Sequence, residues 1–348
     1  MKSEFPLADR ISAFIRLGFQ LSDLKEEEKH ILFQQAQNQN AWFTYQSLEQ
    51  ALEGLKILLE KKALELWVSR YSLDEPSHPL QVGLMLAGNI PGVGFHDILT
   101  VLISGHVACI KLSSQDTALP LWLLNQLKAI EPRFSDRIFI EDLIKNKQAY
   151  IATGSDNSAR YFHYYFGKYP HLIRSNRTSV AILQGDESSV EIQALGHDIF
   201  DYFGLGCRNV SKVYVREKDQ LTQLLDEIQS FEWVANHHKY FNNYEYNKSI
   251  YLVNGTPHLD NGFLLLKESV ELVSPIGVLY YEMYSNLAEL KEKLRPLDSK
   301  IQCVVGQPSS IFPDLVPFGH TQCPAPWDYA DRVDTLKFLQ ELTQATEV

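Results

Sequence analysis

The chain has 348 residues, of which 45% are hydrophobic and 22% are charged, so it is long and apolar enough for one large or two ordinary cores. Its 32 basic and 43 acidic residues give a net charge of −11, which argues against sequence-independent binding to the phosphate backbone of nucleic acids. No apolar run reaches the roughly 20 residues of a membrane-spanning helix, and residues 1–30 are too charged for a secretory signal. We therefore expect a folded, soluble protein without a membrane span.

The N-terminal part of the chain is predicted to be helical. The segment Ser47-Leu48-Glu49-Gln50 has the pattern of a capping box, and the leucines after it recur at helical spacing with charged residues between them. These leucines are Leu48, Leu52, Leu55, Leu58, Leu59 and Leu66. The pattern predicts an amphipathic helix that packs on a core and carries no chemistry.

From residue 82 onward, short apolar runs alternate with helical segments. Buried strands are predicted over 82–87, 107–112, 137–140 and 149–153, and helices over 95–104, 119–130 and 156–165. A second alternation has strands over 180–183, 210–215, 278–281 and 301–305, and helices over 190–203 and 221–231. Such alternation is typical of parallel, doubly wound sheets, so we expect two α/β halves of similar size.

Three strand ends of the first half carry residues that suit a nucleotide. They are the turn Gly88–Gly94, the segment with Lys111, Ser113 and Ser114, and the segment Thr153, Gly154 and Ser155. Carboxyl ends of parallel strands are where open sheets bind ligands, and hydroxyls, an ammonium group and a helix N-terminus suit ribose and phosphate. The turn is neither a GxGxxG fingerprint nor a Walker loop, so alone it fits a structural turn as well as a ligand loop. Together the three ends predict a dinucleotide site.

The four cysteines form no Cys-x-x-Cys pair, and a chain of this size does not need disulfides, so we expect reduced thiols in the cytoplasm. Cys109 and Cys303 lie in apolar strands and are expected in the core, whereas Cys323 lies in a proline-rich loop. Cys207 follows two glycines and precedes Arg208, whose charge favours the thiolate, so it is the candidate nucleophile. No His-x-x-x-His pair occurs, and no metal site is predicted.

In this order, the motifs resemble those of the aldehyde dehydrogenase superfamily, and most closely its acyl-CoA reductase branch, the LuxC-type fatty acyl reductases. The resemblance rests on segments 87–94 and 199–215 and on the tail from 316 to 336. It implies two Rossmann-like parallel-sheet domains. Residues 1–178 with 308–348 would form a helical lead-in and a dinucleotide-binding domain, and residues 179–307 a catalytic thiol domain that brings its cysteine to the nicotinamide.

The resemblance also implies roles for individual residues. Cys207 would accept the acyl group, and Asn89 would donate a hydrogen bond to the oxyanion together with the Cys207 backbone N–H. The implied cofactor-binding residues are Lys111, Ser113, Ser114, Thr153, Gly154, Ser155 and Glu271. Glu271 is the weaker match, because Val273 and Ser274 replace the Phe and Gly of the family's Glu-x-Phe-Gly-Pro motif.

Two departures from the family pattern carry information. The segment 174–177, Arg-Ser-Asn-Arg, replaces a Glu-Leu-Gly-Gly motif whose glutamate activates water, so hydrolysis of an acyl-enzyme should be poor and reduction of an acyl-CoA is favoured. Ser114 stands where NAD-preferring members often have a glutamate that would repel a 2′-phosphate. The resemblance therefore implies NADPH as cofactor, with NADH as the alternative, and coenzyme A as part of the substrate.

Other readings stay open at this point. The same thiol would serve an acyl-phosphate reductase or a coenzyme A-acylating aldehyde dehydrogenase, and a non-catalytic nucleotide-binding subunit could share the fold. An oligomer and an acyl-transferring partner protein are both compatible with the sequence. Coenzyme A and NADPH are anions, so an acidic chain needs a local basic pocket, for which the candidates are Lys111, Arg174, Arg177 and Arg208.

Overall fold

The computed structural model describes residues 4–73 and 75–347. The chain divides into two compact units, each with its own parallel sheet. The first unit consists of the chain up to Asn176 together with the segment from Pro324 onward, and the second unit is Arg177–Cys323. Among the described residues, no helix has both the length and the hydropathy needed to cross a membrane.

The first unit contains a five-stranded sheet in which every pair of neighbouring strands is parallel. The strands are β1 (Gln81–Met85), β2 (Val107–Lys111), β3 (Ile138–Ile140), β4 (Ala149–Thr153) and β5 (His171–Arg174), in the spatial order β3-β2-β1-β4-β5. The predicted doubly wound sheet is therefore confirmed. Strand β5 was not predicted, because its sequence His-Leu-Ile-Arg is short and only partly apolar.

Eight helices of the described part pack around this sheet. They are α1 (Leu7–Ser22), α2 (Glu26–Gln39), α3 (Tyr45–Leu58), α4 (Lys61–Val68), α5 (Phe95–Ile103), α6 (Ala118–Ile130), α7 (Asp156–Phe166) and, from the returning segment, α12 (Thr335–Glu347). Helix α5 is buried along nearly its whole length, because its own side chains are mostly apolar on every face. Helices α1 and α3 each bury only one apolar stripe. One core cluster joins all of these helices except α7 to β1 and β2, and α7 packs through Phe162 and Phe166 on a second, smaller cluster.

The predicted N-terminal helix differs from the observed structure in two respects. The capping box lies three residues earlier, because Thr44 Oγ1 accepts the backbone N–H of Ser47 at 3.1 Å and Ser47 Oγ accepts the backbone N–H of Thr44 at 2.8 Å. The leucine series also belongs to two helices rather than one, since α3 ends at Leu58 and Leu66 lies on α4. Thr44 takes the cap position because its backbone is extended, whereas Ser47 is already helical.

The second unit contains a six-stranded sheet with the order β11-β6-β7-β10-β9-β8, in which only β8 is antiparallel to its neighbour. The strands are β6 (Thr178–Ile182), β7 (Val210–Val215), β8 (Leu259–Asp260), β9 (Leu265–Glu268), β10 (Val278–Met283) and β11 (Ile301–Val305). Its α-helices are α8 (Ser189–Phe200), α9 (Asp219–Glu227), α10 (His238–Val253) and α11 (Leu287–Leu294). The predicted helix over 221–231 thus ends at Glu227, and a 3₁₀ segment follows over Gln229–Asn236.

The segment 308–323, which the resemblance assigns to the dinucleotide-binding domain, lies with the second unit. Val316 forms backbone hydrogen bonds with Val304 and Gly306, and Gly319 donates its N–H to the Asp198 carboxylate at 2.7 Å. The chain then returns to the first unit, where the Tyr329 hydroxyl accepts the Trp67 indole N–H at 2.7 Å. Residues 1–3, 74 and 348 of the predicted domain lie outside the described residues.

His106 makes the stability of the first unit depend on pH. The ring is fully buried, and it accepts the backbone N–H of Leu80 at Nδ1 and contacts the Thr343 hydroxyl at Nε2. Burial lowers the pKa of His106 from 6.5 to about 4. Between these values the unfolded chain binds a proton that the folded chain excludes, so the free energy of unfolding falls as the pH falls through this window.

We expect the protein to lose about 2 kcal/mol of stability through His106 between pH 7 and pH 5. In His106→Gln this loss should be absent, because the amide is uncharged at both pH values. Urea denaturation at the two pH values, followed by tryptophan fluorescence, measures the difference, since four of the five tryptophans lie in the first unit. An equal loss in variant and wild type would contradict the assignment.

Candidate functional site

The predicted nucleotide-binding segments of the first unit meet at one edge of its sheet. In the strand register Met85 of β1 pairs with Lys111 of β2 on one side, and Ala152 of β4 pairs with Met85 on the other. All five strands are parallel, so the chain leaves each of them at this carboxyl edge. The turn after β1, the loop after β2 and the turn after β4 therefore lie side by side, as the strand ends predicted.

Asn89 is exposed in the turn after β1, and two buried polar side chains hold the backbone on either side of it. Asn40 Nδ2 donates to the carbonyl of Gly88 at 3.2 Å, and Asn40 Oδ1 accepts the N–H of Trp42 at 3.0 Å. On the other side, Asp116 Oδ2 accepts the N–H of Gly92 at 2.7 Å. Gly92 has a φ of 69°, a conformation that favours glycine. The turn is thus fixed at both ends.

Asp116 is the residue of this edge that sequence reasoning missed. It is 2% exposed, and its second carboxylate oxygen, Oδ1, is buried without a hydrogen-bond partner among the described residues. Burial raises the pKa of Asp116 to about 7, although the hydrogen bond from Gly92 acts in the opposite direction. An aspartate in a loop of serines and glutamine is expected to be solvated. The one available signal was its place at the carboxyl end of a predicted strand.

The residues after β2 divide into exposed and structural ones. Lys111, at the end of the strand, and Ser114 are both exposed. Ser113 is half-buried: its hydroxyl accepts the N–H of Gln115 at 3.3 Å, and its side chain packs on Gly88 so closely that a methyl group there would collide with it. Lys111 and Ser114 are therefore accessible to a ligand, whereas Ser113 also supports the turn after β1.

The turn after β4 leads directly into a helix. Ser155 caps α7 by accepting the N–H of Ser158 at 3.3 Å, and Gly154 donates its N–H to the carbonyl of Arg174 at 3.2 Å. A Cβ at Gly154 would stand 2.7 Å from that of Ser158, so this close approach requires glycine. Thr153 and Ser155 thus place hydroxyls beside the start of α7, where backbone N–H groups favour an anion.

Arg174 corrects the predicted basic pocket. Its guanidinium is 4% exposed, donates to both Asp97 carboxylate oxygens at 2.7 Å, and donates to the Thr335 hydroxyl at 2.8 Å. A guanidinium enclosed and paired in this way is not available to an exposed anion. Of the other candidates, Arg177 donates to the Ile301 carbonyl at 3.3 Å, and Lys111 remains exposed.

In the second unit, Cys207 follows a turn with an unusual backbone. Helix α8 ends at Phe200, earlier than predicted, and Tyr202, Phe203 and Gly204 are all left-handed, with φ of 53°, 58° and 76°. Each left-handed residue other than glycine costs about 1–3 kcal/mol and persists only where its surroundings hold it. The Phe203 ring packs on the His237 ring, with centroids 4.4 Å apart.

Asn209 is the main polar support of this turn. It is 2% exposed, and Nδ2 donates to three backbone carbonyls, those of Asp198 at 3.2 Å, Ile199 at 3.4 Å and Asp201 at 2.8 Å. Its Oδ1 accepts the N–H of Gly206 at 2.8 Å. These carbonyls lie at the end of α8, where no further helical turn can satisfy them. One amide therefore ends the helix and fixes the glycine before Cys207.

Cys207 is partly exposed and forms no disulfide, and its carbonyl accepts the Ser179 hydroxyl at 3.1 Å. Cys109 and Cys303 are buried in β2 and β11, as predicted, and Arg208 Nη1 lies 3.4 Å from Cys303 Sγ. Burial raises the pKa of the Cys109 thiol. That Arg208 favours the Cys207 thiolate stays a prediction.

Glu271 is exposed in the crossover that leads from β9 to β10. The next residue, Leu272, accepts the hydroxyl of Ser211 at its carbonyl at 2.9 Å, and Ser211 is the second residue of β7. The crossover thus brings Glu271 to the amino-terminal part of the strand that follows Cys207. Both belong to the second unit.

The donor set of the first unit suits a nucleotide. One exposed ammonium group, several hydroxyls and the start of a helix gather at the carboxyl edge of a parallel sheet, and these groups match ribose hydroxyls and a pyrophosphate. Within residues 4–73 and 75–347, no group of three or more His, Cys, Asp or Glu side chains could hold a metal ion.

No protein-family model matches the chain, and no curated protein matches its sequence. Solved structures do match it. The structure of aldehyde dehydrogenase 21 from Physcomitrella patens, in complex with succinate, covers 88% of this chain and 74% of its own at 13% identity, with a TM-score of 0.63. An aldehyde dehydrogenase from Mycobacterium tuberculosis with NAD+ covers 83% of this chain and 71% of its own at 13% identity, with a TM-score of 0.60.

A third similar structure is the NADP-dependent glyceraldehyde-3-phosphate dehydrogenase from Bacillus halodurans with NADP. It covers 86% of this chain and 74% of its own at 12% identity, with a TM-score of 0.57. These structural neighbours are members of the aldehyde dehydrogenase superfamily. The chain has the aldehyde dehydrogenase fold, as the resemblance implied.

Asn209→Ala should destabilise the second unit. The substitution leaves three buried carbonyls and the Gly206 N–H without their partner and releases the left-handed turn, so we expect the free energy of unfolding to fall by about 3 kcal/mol or more. Calorimetry measures the change. Asn242→Ala, on the exposed face of α10, is the matched control and should be nearly neutral. Equal effects of the two substitutions would contradict the role given to Asn209.

Proposed function

We propose that the protein is an NADPH-dependent acyl-CoA reductase that forms an aldehyde through a thioester on Cys207. The observation that carries the proposal is the turn before Cys207: two left-handed residues other than glycine and the buried amide of Asn209 fix the backbone of a partly exposed thiol that forms no disulfide. Strain of this kind clusters at functional sites. The aldehyde dehydrogenase fold and the donor-rich edge of the first unit support the same chemistry.

In the first step the Cys207 thiolate attacks the carbonyl carbon of the acyl-CoA. The new bond between Sγ and carbon forms a tetrahedral oxyanion, and the Asn89 carboxamide and the Cys207 N–H are the groups proposed to donate hydrogen bonds to it. Removing one such donor typically lowers kcat by about 10²–10³-fold. The oxyanion collapses, the bond from carbon to the coenzyme A sulfur breaks, and coenzyme A leaves as a thiolate.

The surroundings of Arg174 support reduction rather than hydrolysis of this thioester. A hydrolytic enzyme needs a carboxylate that takes a proton from water. Segment 174–177 contains none, and the Asp97 carboxylate beside it is 6% exposed and engaged by the Arg174 guanidinium. We infer that the acyl-enzyme persists until it is reduced.

The first unit would hold the cofactor. Lys111 and Ser114 would contact the adenosine ribose, with Ser113 supporting them, and Thr153, Gly154 and Ser155 would lie beside the pyrophosphate. Glu271 of the second unit is proposed for the nicotinamide ribose. When bound, NADPH would supply a hydride for reduction of the thioester. The acyl carbon would accept the hydride, the bond from this carbon to Cys207 Sγ would break, and the aldehyde would leave with Cys207 restored as a thiolate. Ser114 favours NADPH because it carries no charge to repel a 2′-phosphate, and a thiol nucleophile suits the reducing cytoplasm.

Cys207→Ala should abolish NADPH oxidation that depends on acyl-CoA, because the variant has no nucleophile, while the dissociation constant of NADPH should change less than about twofold. The decrease in absorbance of NADPH and the quenching of protein fluorescence by NADPH measure the two effects. Cys323→Ala removes an exposed thiol and is the matched control, which should remain active. If Cys207→Ala still oxidises NADPH in the presence of acyl-CoA, the proposal is wrong.

Three further comparisons separate the alternatives and define the substrate. Acyl-CoA, acyl phosphate and aldehyde with coenzyme A, each tested with NADPH and NADH, distinguish the three reactions that one thiol can serve. Acyl-CoAs from acetyl to palmitoyl then give the preferred chain length. Iodoacetamide should alkylate Cys207 faster than Cys109, whose thiol is buried and has a raised pKa. Equal rates would favour a non-catalytic subunit.

A further inference from the structure

The loop after β2 ends at Asp116, whose carboxylate is buried although only one of its oxygens accepts a hydrogen bond from the described residues. Asp116 is 2% exposed, and its hydrogen bond to the Gly92 N–H, at 2.7 Å, satisfies one oxygen, whereas Oδ1 has no partner among the described residues. Burying a carboxylate is costly, and a buried oxygen without a partner adds to that cost. A neutral asparagine would offer Gly92 the same acceptor, so what the turn requires of this position is a buried side-chain oxygen that accepts the Gly92 N–H.

The hydrogen bond of Asp116 reaches the turn that carries Asn89. Gly88, one residue before Asn89, is held through its carbonyl by Asn40 Nδ2, and Gly92, three residues after it, is held through its N–H by Asp116. A Cβ at Gly88 would also lie 3.3 Å from the Asp116 Cβ, so the two segments are in close contact. The backbone of Asn89 is therefore clamped between two buried polar side chains, Asn40 at 6% and Asp116 at 2% exposure.

We propose that Asp116 is a positioning residue that fixes the Gly88–Gly92 backbone and thereby orients the Asn89 carboxamide for the developing oxyanion. Asp116 acts through Gly92 and does not itself touch the reacting atoms. The inference rests on the proposed function for the role of Asn89, but the hold of Asp116 on the turn is independent of that function. A side chain placed by its backbone loses most of its effect when that backbone moves by about 1 Å.

A double-mutant cycle tests whether Asp116 acts through Asn89. We expect Asp116→Ala to lower kcat by ~10–100-fold, with the dissociation constant of NADPH changed less than about twofold, because the donor is misplaced and the cofactor edge is intact. Asp116→Asn keeps an oxygen acceptor for Gly92 and should retain kcat within about threefold. In the Asn89→Ala background, Asp116→Ala should cost less than about threefold, since there is no carboxamide left to misplace.

Asp136→Ala, an exposed aspartate of the same unit, is the matched control and should keep the wild-type kcat. The proposal is overturned if Asp116→Ala lowers kcat by the same factor with and without Asn89, because a general structural defect would act in both backgrounds. It is equally overturned if Asp116→Asn is as impaired as Asp116→Ala.

Hydrogen exchange keeps this test separate from the fate of the proposed function. The Gly92 amide should exchange at least ~10-fold faster in Asp116→Ala than in wild type, and it should remain protected in Asp116→Asn. Both rates are measured by NMR on the full chain and need no substrate. An inactive wild type would refute the acyl-CoA reductase while the exchange rates still decide the role of Asp116. If the Gly92 amide exchanges at the wild-type rate in Asp116→Ala, the role of Asp116 is refuted, whatever the activity. If Asp116→Ala does not fold, loss of protection of the Gly92 amide in Asp116→Asn refutes the role.

Discussion

Parallel pairing of β1 with both β2 and β4 is the constraint on which the arrangement of the first unit depends. The chain leaves parallel strands at the same edge of the sheet. Residues that are far apart in the sequence therefore become neighbours at this edge. The turn of Asn89, Lys111 and the Thr153–Ser155 turn meet for this reason. The helices that connect the strands pack on the apolar faces of the sheet. The side chains of this core fix the register of the strands.

In each unit, buried polar side chains hold the backbone of a turn, and Asn209 and Asp116 do so in different ways. The Asn209 side chain makes four hydrogen bonds to backbone groups of one turn, and these replace the hydrogen bonds that the end of α8 lacks. Asp116 makes one hydrogen bond and leaves an oxygen unsatisfied. The first case resembles ordinary helix capping, in which the side chain repays its burial. The second retains a net cost, which is why it invites a functional explanation.

Local patterns sufficed for much of the fold. Short runs rich in apolar residues, bounded by glycine, proline and small polar residues, predicted most strands of both parallel sheets and hence the carboxyl edge. The errors lie where distant residues decide the outcome. The apolar pattern continues past Phe200, so a helix was expected to residue 203, but Asn209 takes the carbonyls of the last turn. Arg174 looks like an exposed cation, yet its partner Asp97 lies 77 positions earlier.

The composition of the first unit from two chain segments has a consequence for synthesis on the ribosome. Residues 177–323 are translated as one continuous stretch. The core of the first unit is complete only after Leu336 and Leu339 have been synthesised, and Trp67 can form its hydrogen bond only after Tyr329 has been synthesised. The second unit can complete its contacts while the first still exposes the surface that α12 will cover. Late arrival of distant partners slows folding and prolongs exposure of apolar surface. During synthesis the first unit therefore keeps apolar core surface exposed until the last segment of the chain has been made.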